Sequence, residues 1–370
     1  MSTRTSSDKI IYFYHGVVNK NTYLIPRLIS SLIRLPLFKS LFFIFPGIDQ
    51  AISLQKGSVK EGESNEFAVE INPSMLGVFN RSWEVKQKVV DKIKQVGAKY
   101  VSFHAPYVDD GVIFQKASQT MLDNTFDLSE DSSKTLFCLV SHLQFIDQVG
   151  PEKKDKVLVV HPLPASPYKN EHEIIKGIAT VLKKVTPLLE DLNIFVAIEN
   201  MPWMKKKHER YTSMLGSISF FERLMNEINH PNVGITFDWG HANCFSRYMH
   251  DHKLADGAFT FTEKDLTTFA YHKKFLTDLQ QKIMHLHLHY NEAHILTSKA
   301  PFYAKNYDYH ADLTKLRPEE YPFYKESLQP ALGSPVLKSI VLETVPSFLS
   351  QQSRLTKYKD SVEILKSMVE

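Results

Sequence analysis

The sequence predicts an α/β fold, a (β/α)8 barrel, preceded by a helical extension that is basic and apolar. Short apolar runs alternate with stretches of helical periodicity from about residue 67 to the C-terminus. Strands that alternate with helices indicate a parallel sheet, and seven or eight such units in about 300 residues suit a closed barrel. An open, doubly wound sheet is the alternative, but the glycine-rich turn that often follows a strand in such sheets is not visible here.

The composition is typical of a globular protein, with 43% hydrophobic and 23% charged residues. The formal net charge of +3 provides no global field that would attract nucleic acid. Cys138 and Cys244 are the only cysteines, which excludes a disulfide framework and a cysteine-rich zinc module. We therefore expect a reducing, cytoplasmic compartment.

Residues 1–60 differ from the rest and are expected to form an N-terminal extension, which could include a first strand. Residues 61–370 would then form the barrel. Three basic residues interrupt the apolar stretch over residues 24–48, so no uncharged run approaches the roughly 20 residues of a membrane span. We expect helices packed on the barrel and no stable membrane insertion. A basic amphipathic segment that touches a membrane or a partner is the alternative.

The elements of the barrel are predicted in order along the chain. Apolar runs predict strands over residues 67–72, 100–104, 157–161, 194–200, 233–238, 283–289 and 339–345. Helical periodicity predicts helices over residues 83–97, 132–149, 172–192, 217–229, 265–281 and 355–369. A polar loop is expected after residue 104, and a long irregular loop is expected from residue 289 to about 335.

Polar residues end five of these strands on the same face. Because side chains alternate along a strand, the inward-facing set of each run finishes in a histidine or a carboxylate. These residues are His104, His161, Glu199, Asp238 and Glu343. In a barrel they would converge at the carboxyl ends of the strands, where barrel enzymes keep their active sites. Histidine and carboxylate side chains so placed predict a metal site.

The strand over residues 283–289 carries three histidines on one face, at different depths. His285 is expected to be a buried, hydrogen-bonded core residue. His287 is the better ligand candidate, and His289 is the second choice.

Two further pairs have the spacing of metal ligands. His241 follows Asp238 by three residues, in the predicted turn after the strand, so the two can hold one ion between them. In the long loop, Asp308 and His310 form an Asp-x-His pair, and residues 291–294 offer a competing glutamate and histidine. Nine ligands would be too many for one zinc ion, which takes four or five.

These segments resemble the xylose isomerase-like barrel superfamily, which contains endonuclease IV (AP endonuclease family 2) and many sugar isomerases and epimerases. The resemblance runs from about residue 67 to the C-terminus. The motifs that carry it are Ser102–Tyr107, Val160–Pro162, Ala197–Asn200, Phe237–His241, His287–Asn291, Asp308–His310 and Val341–Thr344.

Endonuclease IV holds three zinc ions with nine ligands, and the resemblance implies a matching set here. The matching residues are His104, His161, Glu199, Asp238, His241, His287, Asp308, His310 and Glu343. The resemblance also implies that Glu199 bridges two metals and that Tyr107 lies beside the substrate.

The sequence departs from the endonuclease IV pattern at four places, one of which is a longer gap from His287 to Asp308. Trp239-Gly240 stands where that family has Thr-Cys, and His289-Tyr290 stands where it has Asn-Asp. The glycines expected soon after the Asp-x-His pair are missing after His310. These departures concern the substrate rather than the metal site.

Phosphoester hydrolysis is the first function that this site suits. Clustered divalent cations, one to three zinc ions or alternatively manganese, would activate water, with Glu199, Asp238 and Glu343 as the catalytic carboxylates. The expected substrate is phosphorylated and includes DNA with abasic sites. Substrate contacts are expected from Tyr107, Trp203, Lys205 and Lys206, and Phe79 and Arg81 are candidates for filling the gap that an extruded nucleotide leaves.

Sugar isomerisation or epimerisation is the second function. It would need one metal, with Glu199 and Glu343 moving the proton next to a carbonyl. A metal-binding barrel that serves as an interaction module, with residues 1–60 as its docking segment, is a third interpretation.

Overall fold

The structure is a computed structural model, and most of the predicted barrel is described in it. The described residues are 70, 71, 73, 78–80, 82–94, 102–106, 112–115, 120–123, 126–150, 155–166, 168–202, 211–291, 310–343 and 360–368. The predicted N-terminal extension, residues 1–60, lies outside them.

A six-stranded parallel sheet forms the wall of a nearly closed barrel. Its strands are β1 (Ser102–His104), β2 (Lys156–Val160), β3 (Ile194–Glu199), β4 (Val233–Asp238), β5 (Ile283–Leu288) and β6 (Ser339–Leu342). Ile71 pairs in parallel with Phe103, so this residue of the predicted strand over residues 67–72 lies beside β1. Strands that follow each other in this sequence are neighbours in space, without the reversal of a doubly wound sheet. The predicted α/β barrel is thus confirmed.

Helices follow the strands and cover the outside of the sheet. They are α1 (Gln87–Lys94), α2 (Ser133–Val149), α3 (Glu171–Asp191), α4 (Thr212–Leu215), α5 (Ile218–Ile228), α6 (Trp239–Asp251), α7 (Glu263–Thr267), α8 (Ala270–Asp278) and α9 (Tyr321–Leu332), and residues 360–368 are also helical. None of the helices in the described ranges combines the length and the apolar character that a membrane span requires.

Capping explains why three helices begin and end close to their predicted limits. The Ser132 side chain accepts a hydrogen bond from the Thr135 amide at the start of α2. Asn170 and Glu173 form a reciprocal capping box at the start of α3. Asn229 ends α5 in the left-handed conformation that asparagine tolerates.

The hydrophobic core has two parts, as expected for alternating side chains. Val157, Val159 and Ala197 form a small cluster of their own on the inner face of β2 and β3. Their neighbours Leu158 and Val196 belong to the large core between the sheet and the helices. The predicted inward and outward sets of these strands are therefore correct.

Two stretches predicted as loops contain regular structure instead. The polar stretch after β1 includes an antiparallel hairpin of Val112–Gln115 and Thr120–Asp123. The predicted long loop contains α9, which ends just before the predicted limit at Pro335.

Two helix predictions also need correction. The predicted helix over residues 265–281 is interrupted between α7 and α8 at Phe269, whose φ of 51° is incompatible with a continuous right-handed helix. The predicted turn after Asp238 is the first turn of α6. Asp238 caps that helix by accepting a hydrogen bond from the His241 amide at 2.6 Å.

Two buried histidines predict how the free energy of unfolding depends on pH. Burial lowers the pKa of His142 to about 4 and that of His272 to about 3, against backbone hydrogen bonds that raise it. Both rings stay neutral in the folded protein, but in the unfolded chain they become protonated below about pH 6.5. The free energy of unfolding should therefore fall as the pH drops from 6.5 toward 4, by roughly 1.4 kcal/mol per unit for each histidine.

Urea titrations at pH 7 and pH 5 measure this fall. Metal ligands also take up protons in this range, so the variant His272→Gln isolates one of the two buried rings. Its pH dependence should be shallower than that of the wild type by roughly one proton. Equal slopes would contradict the assignment of a neutral, buried His272.

Candidate metal centre

The ends of the barrel strands meet in one cluster of histidines and carboxylates. All but His161 are buried, and the His161 side chain is 11% exposed. The members are Glu70, His104, His161, Glu199, Asp238, His241, His287, His289, His310 and Glu343. All of these were predicted as ligands except Glu70, which was not foreseen, and His289, which was the second choice after His287.

The first group of donors, subsite 1, lies where β1, β2 and β3 end. It consists of His104, His161 and Glu199. The Oε2 atom of Glu199 lies 3.2 Å from Nε2 of His104 and 3.0 Å from Nε2 of His161. Three elements thus place one ligand atom each around a common point.

The second group, subsite 2, consists of Glu199, Asp238, His287 and Glu343. Nδ1 of His287 lies 3.0 Å from Oε2 of Glu343, 3.5 Å from Oε1 of Glu199 and 3.7 Å from Oδ2 of Asp238. Glu199 therefore belongs to both subsites and faces each with a different oxygen.

The third group, subsite 3, consists of His289, His310 and Glu343. Nδ1 of His310 lies 3.5 Å from Oε2 of Glu343. The rings of His289 and His310 are stacked with centroids 3.8 Å apart. Glu343 joins subsites 2 and 3 as Glu199 joins subsites 1 and 2.

The hydrogen bonds of the histidines show that these donors fit divalent cations. Nδ1 of His104 lies 2.7 Å from the carbonyl oxygen of Ala105, which can only accept, so Nδ1 carries the proton. Nε2 of a neutral ring is then an acceptor, and it faces a second acceptor in Glu199. Histidine ligands of metals commonly donate their other N–H in this way, and a cation between the two acceptors resolves the conflict.

The distances between the donor atoms agree with this conclusion. Zinc bonds to nitrogen and oxygen of about 2.0–2.2 Å in a tetrahedron separate neighbouring ligand atoms by about 3.4 Å. The separations from His287 Nδ1 to the three carboxylates of subsite 2 run from 3.0 to 3.7 Å. They bracket the expected ligand-to-ligand distance.

The pKa shifts within the cluster also favour the binding of divalent cations. Burial acts to lower the pKa of His287, but the carboxylates of Glu70, Glu343 and Glu199 raise it well above its ordinary value. Burial likewise acts to raise the pKa of Glu199, but His161 and His287 hold it well below its usual range. Glu199 thus remains ionised and requires positive charge nearby, which bound divalent cations would supply as they displace protons.

Glu70 is a member of the cluster that the sequence analysis missed. Its Oε2 atom accepts a hydrogen bond from the Ser102 hydroxyl at 2.5 Å and lies 3.2 Å from Nε2 of His287. An ionised carboxylate only accepts, so Nε2 of His287 donates and Nδ1 faces subsite 2. The signal in the sequence was a lone carboxylate within the apolar run over residues 67–72.

His285 lies deeper in the barrel, as predicted. It is fully buried, and its Nδ1 atom forms a hydrogen bond of 2.6 Å with the Ser339 hydroxyl. Its Nε2 atom lies 3.4 Å from Glu70, so Glu70, His285 and His287 form a further group of possible ligands below subsite 2.

His241 lies in the cluster but outside the three subsites. Its Nδ1 atom is 2.8 Å from the Asn200 carbonyl oxygen and 3.1 Å from Oε1 of Glu199. Because the carbonyl only accepts, Nδ1 is a donor here. His241 thus orients the Glu199 carboxylate, and a role for its Nε2 atom as a ligand stays a prediction.

Several predicted site residues lie outside the described part of the chain. They are the ligand Asp308, the substrate contacts Tyr107, Trp203, Lys205 and Lys206, and also Arg81, Glu292 and His294. Phe79 is described, but the prediction that it fills a gap in a nucleic-acid substrate is wrong. It is fully buried and packs against His142 with ring centroids 4.6 Å apart.

Substitution of Glu70 should weaken metal binding without removing a direct ligand of subsites 1 to 3. In Glu70→Gln the uncharged amide oxygen accepts from Nε2 of His287 more weakly than the carboxylate does, so it stabilises less well the tautomer that presents Nδ1 to subsite 2. We expect a loss of metal affinity of roughly 10- to 100-fold, measured by competition with a chelator. Glu190→Gln, on the surface beside His230, is the control and should bind metal as the wild type does. Equal affinities of all three proteins would rule out this role for Glu70.

Comparisons with known proteins agree with the architecture of the barrel. The family model for the xylose isomerase-like TIM barrel matches residues 153–315. An uncharacterized protein of Methanocaldococcus jannaschii is 33% identical over 96 residues, which are 25% of this chain and 30% of that protein. The chain therefore spans less than a third of the length of this relative.

Solved structures share the fold at low sequence identity. A D-psicose 3-epimerase from Clostridium cellulolyticum H10 has a TM-score of 0.53 at 9% identity, over 98% of this chain and 99% of its own. A xylose isomerase domain protein from Alicyclobacillus acidocaldarius has a TM-score of 0.51 at 12% identity, over 97% and 99%. A D-tagatose 3-epimerase-like protein has a TM-score of 0.51 at 18% identity, over 86% and 95%. Residues 153–315 are thus similar to the xylose isomerase-like TIM barrel family, and the solved structures show the same fold over most of the chain.

Proposed function

We propose that this protein is a metal-dependent phosphoester hydrolase with a multinuclear centre. The observation that carries the proposal is the sharing of carboxylates between subsites. Glu199 belongs to subsites 1 and 2, and Glu343 belongs to subsites 2 and 3. Carboxylates shared in this way would hold neighbouring cations close together, as two-metal phosphoester hydrolases require.

The charge of the centre supports a phosphorylated substrate if several ions are bound. Four buried carboxylates, Glu70, Glu199, Asp238 and Glu343, contribute four negative charges when the histidines are neutral. One divalent cation leaves the centre negative, two neutralise it, and three leave it positive. A positive centre attracts an anionic phosphoester, whereas a negative centre repels it.

The residues of the chain have distinct roles in this proposal. His104 and His161 would hold a cation on one side of Glu199, and His287 and Asp238 would hold another on the opposite side. Such cations, when bound, make water nucleophilic near neutral pH and neutralise charge that develops on the phosphoryl oxygens. The buried histidine rings exclude bulk water from the carboxylates and so strengthen these interactions.

DNA with abasic sites is the substrate that we propose within this class. The sequence Met201–Lys207 follows Glu199 and Asn200 at the end of β3, and it contains Trp203 together with three consecutive lysines. Aromatic and basic residues in such a sequence suit stacking on bases and pairing with backbone phosphates.

Metal content and phosphoesterase activity test the proposal together. We expect two to three tightly bound zinc or manganese ions per chain by mass spectrometry, and cleavage of a duplex with one abasic site. Glu199→Gln should lower the metal content and reduce cleavage by roughly 100-fold or more, because it weakens two subsites at once.

The matched control is Glu227→Gln. Glu227 lies on the surface and pairs with Lys183, so this variant should keep full metal content and activity. A wild-type protein with one ion per chain that cleaves neither the duplex nor a simple aryl phosphate would contradict the proposed hydrolase.

Sugar epimerisation is the second candidate, and subsite 2 favours it. Its two glutamates, one aspartate and one histidine are sufficient to hold a single ion. Glu199 and Glu343 both reach this subsite, so they could exchange a proton on opposite faces of a carbon next to a carbonyl. Two of the solved structures that share the fold are described as a 3-epimerase and a 3-epimerase-like protein.

Deuterium exchange distinguishes this candidate from hydrolysis. An epimerase loaded with one metal should incorporate deuterium from D₂O at the carbon next to the carbonyl of a ketohexose, and NMR detects the exchange. Glu343→Gln should slow it by roughly 100-fold or more, because one of two acid–base groups is lost. No exchange with the metal-loaded wild type would exclude this candidate for ketohexoses.

A further inference from the structure

We propose that His289 is a metal ligand in subsite 3 and that Gly240 provides the space for it. This inference rests on the proposed multinuclear centre but adds a ligand that the predicted set of nine lacks. His289 and Gly240 are two of the positions at which this sequence departs from the endonuclease IV pattern.

The first observation is the close approach of the two residues. A Cβ atom added at Gly240 would lie 2.0 Å from Cε1 and 2.4 Å from Nε2 of His289. Any other residue at position 240 would therefore displace the imidazole ring. Gly240 has a negative φ in helix α6, so space rather than backbone conformation explains the glycine.

The second observation is the environment of the His289 ring. The residue is fully buried, and Nε2 lies 3.0 and 3.2 Å from the two oxygens of Asp238. Nδ1 is buried and has no hydrogen-bond partner among the residues that the structure describes. One nitrogen thus donates to a carboxylate while the other offers a lone pair, which is the arrangement of a histidine that binds metal.

The third observation is how His289 meets His310. The segments that carry them are joined by two backbone hydrogen bonds between Tyr290 and Ala311, of 2.9 and 2.8 Å. The two rings are stacked with an interplanar angle of 6°, so one of them has to turn for both lone pairs to reach one ion. Each ring offers a nitrogen that lies within 4.8 Å of the other and of an oxygen of Glu343.

The chemistry of this donor set favours zinc or a similar divalent transition metal. Two imidazole nitrogens and one carboxylate oxygen suit zinc, and they leave a fourth position for water or substrate. Two neutral rings and one carboxylate also leave a bound divalent cation with a net positive charge, which would attract an anionic group.

Diffraction from zinc-loaded wild-type protein at the zinc absorption edge tests the inference directly. We expect an anomalous peak about 2.0–2.2 Å from a ring nitrogen of His289. A zinc-loaded crystal with every anomalous peak farther than about 3 Å from this ring would overturn the proposal.

Two variants test it in solution. His289→Asn and Gly240→Ala should each bind about one equivalent of zinc less than the wild type, the first by removing the ligand and the second by displacing it. His230→Asn, at a partly exposed pair with Glu190, is the control and should keep the wild-type count. Circular dichroism confirms that each variant is folded.

An unchanged zinc count in folded His289→Asn would overturn the proposal and would leave His289 as a hydrogen-bond partner of Asp238. These measurements need no substrate. A protein that binds zinc through His289 but cleaves no phosphoester would therefore support this inference and contradict the proposed function.

Discussion

The structure of this protein depends on how the buried carboxylate of Glu199 is compensated. Glu199 ends β3, in the middle of the sheet, and is 1% exposed. A buried charge is costly unless ions and hydrogen bonds surround it. Histidines from four other elements approach its two oxygens within 3.5 Å, and they are His104, His161, His241 and His287. These contacts require the strand ends to converge, so the cluster of histidines and carboxylates depends on the curvature of the sheet.

A second layer of polar residues lies beneath the centre and holds the ligands in place. Glu70 accepts a hydrogen bond from the Ser102 hydroxyl and orients His287. The Ser339 hydroxyl forms a hydrogen bond with His285. These hydrogen bonds connect Glu70 to β1 and β5, and they connect β5 to β6, through the interior of the barrel. Elsewhere the inner face is apolar, with Val157, Val159 and Ala197 on β2 and β3. Ligand orientation therefore depends on the packing of the whole barrel and not only on the strand ends.

The departures from the endonuclease IV pattern have separate physical reasons. Trp239 is 1% exposed and stacks on Tyr324 with ring centroids 3.9 Å apart, so it joins α6 to α9 and does not face a substrate. Gly240, which has no side chain, instead leaves space for the His289 ring beside Asp238. One substitution thus belongs to the hydrophobic core, while the other reshapes the third subsite. A motif comparison alone counts both as mismatches of equal weight.

The sequence by itself determined the alternation of strands and helices and the convergence of the strand-end residues. Both follow from local periodicity, because a period of two decides which side chains face the interior of any barrel. Only the tertiary structure decided the roles of Glu70, His241 and His289. Each role depends on contacts between residues far apart in the sequence, such as the 3.2 Å approach of Glu70 to His287. Helix α6 was also missed, because its start is determined by the cap at Asp238, a residue whose spacing from His241 suits a metal-binding turn equally well.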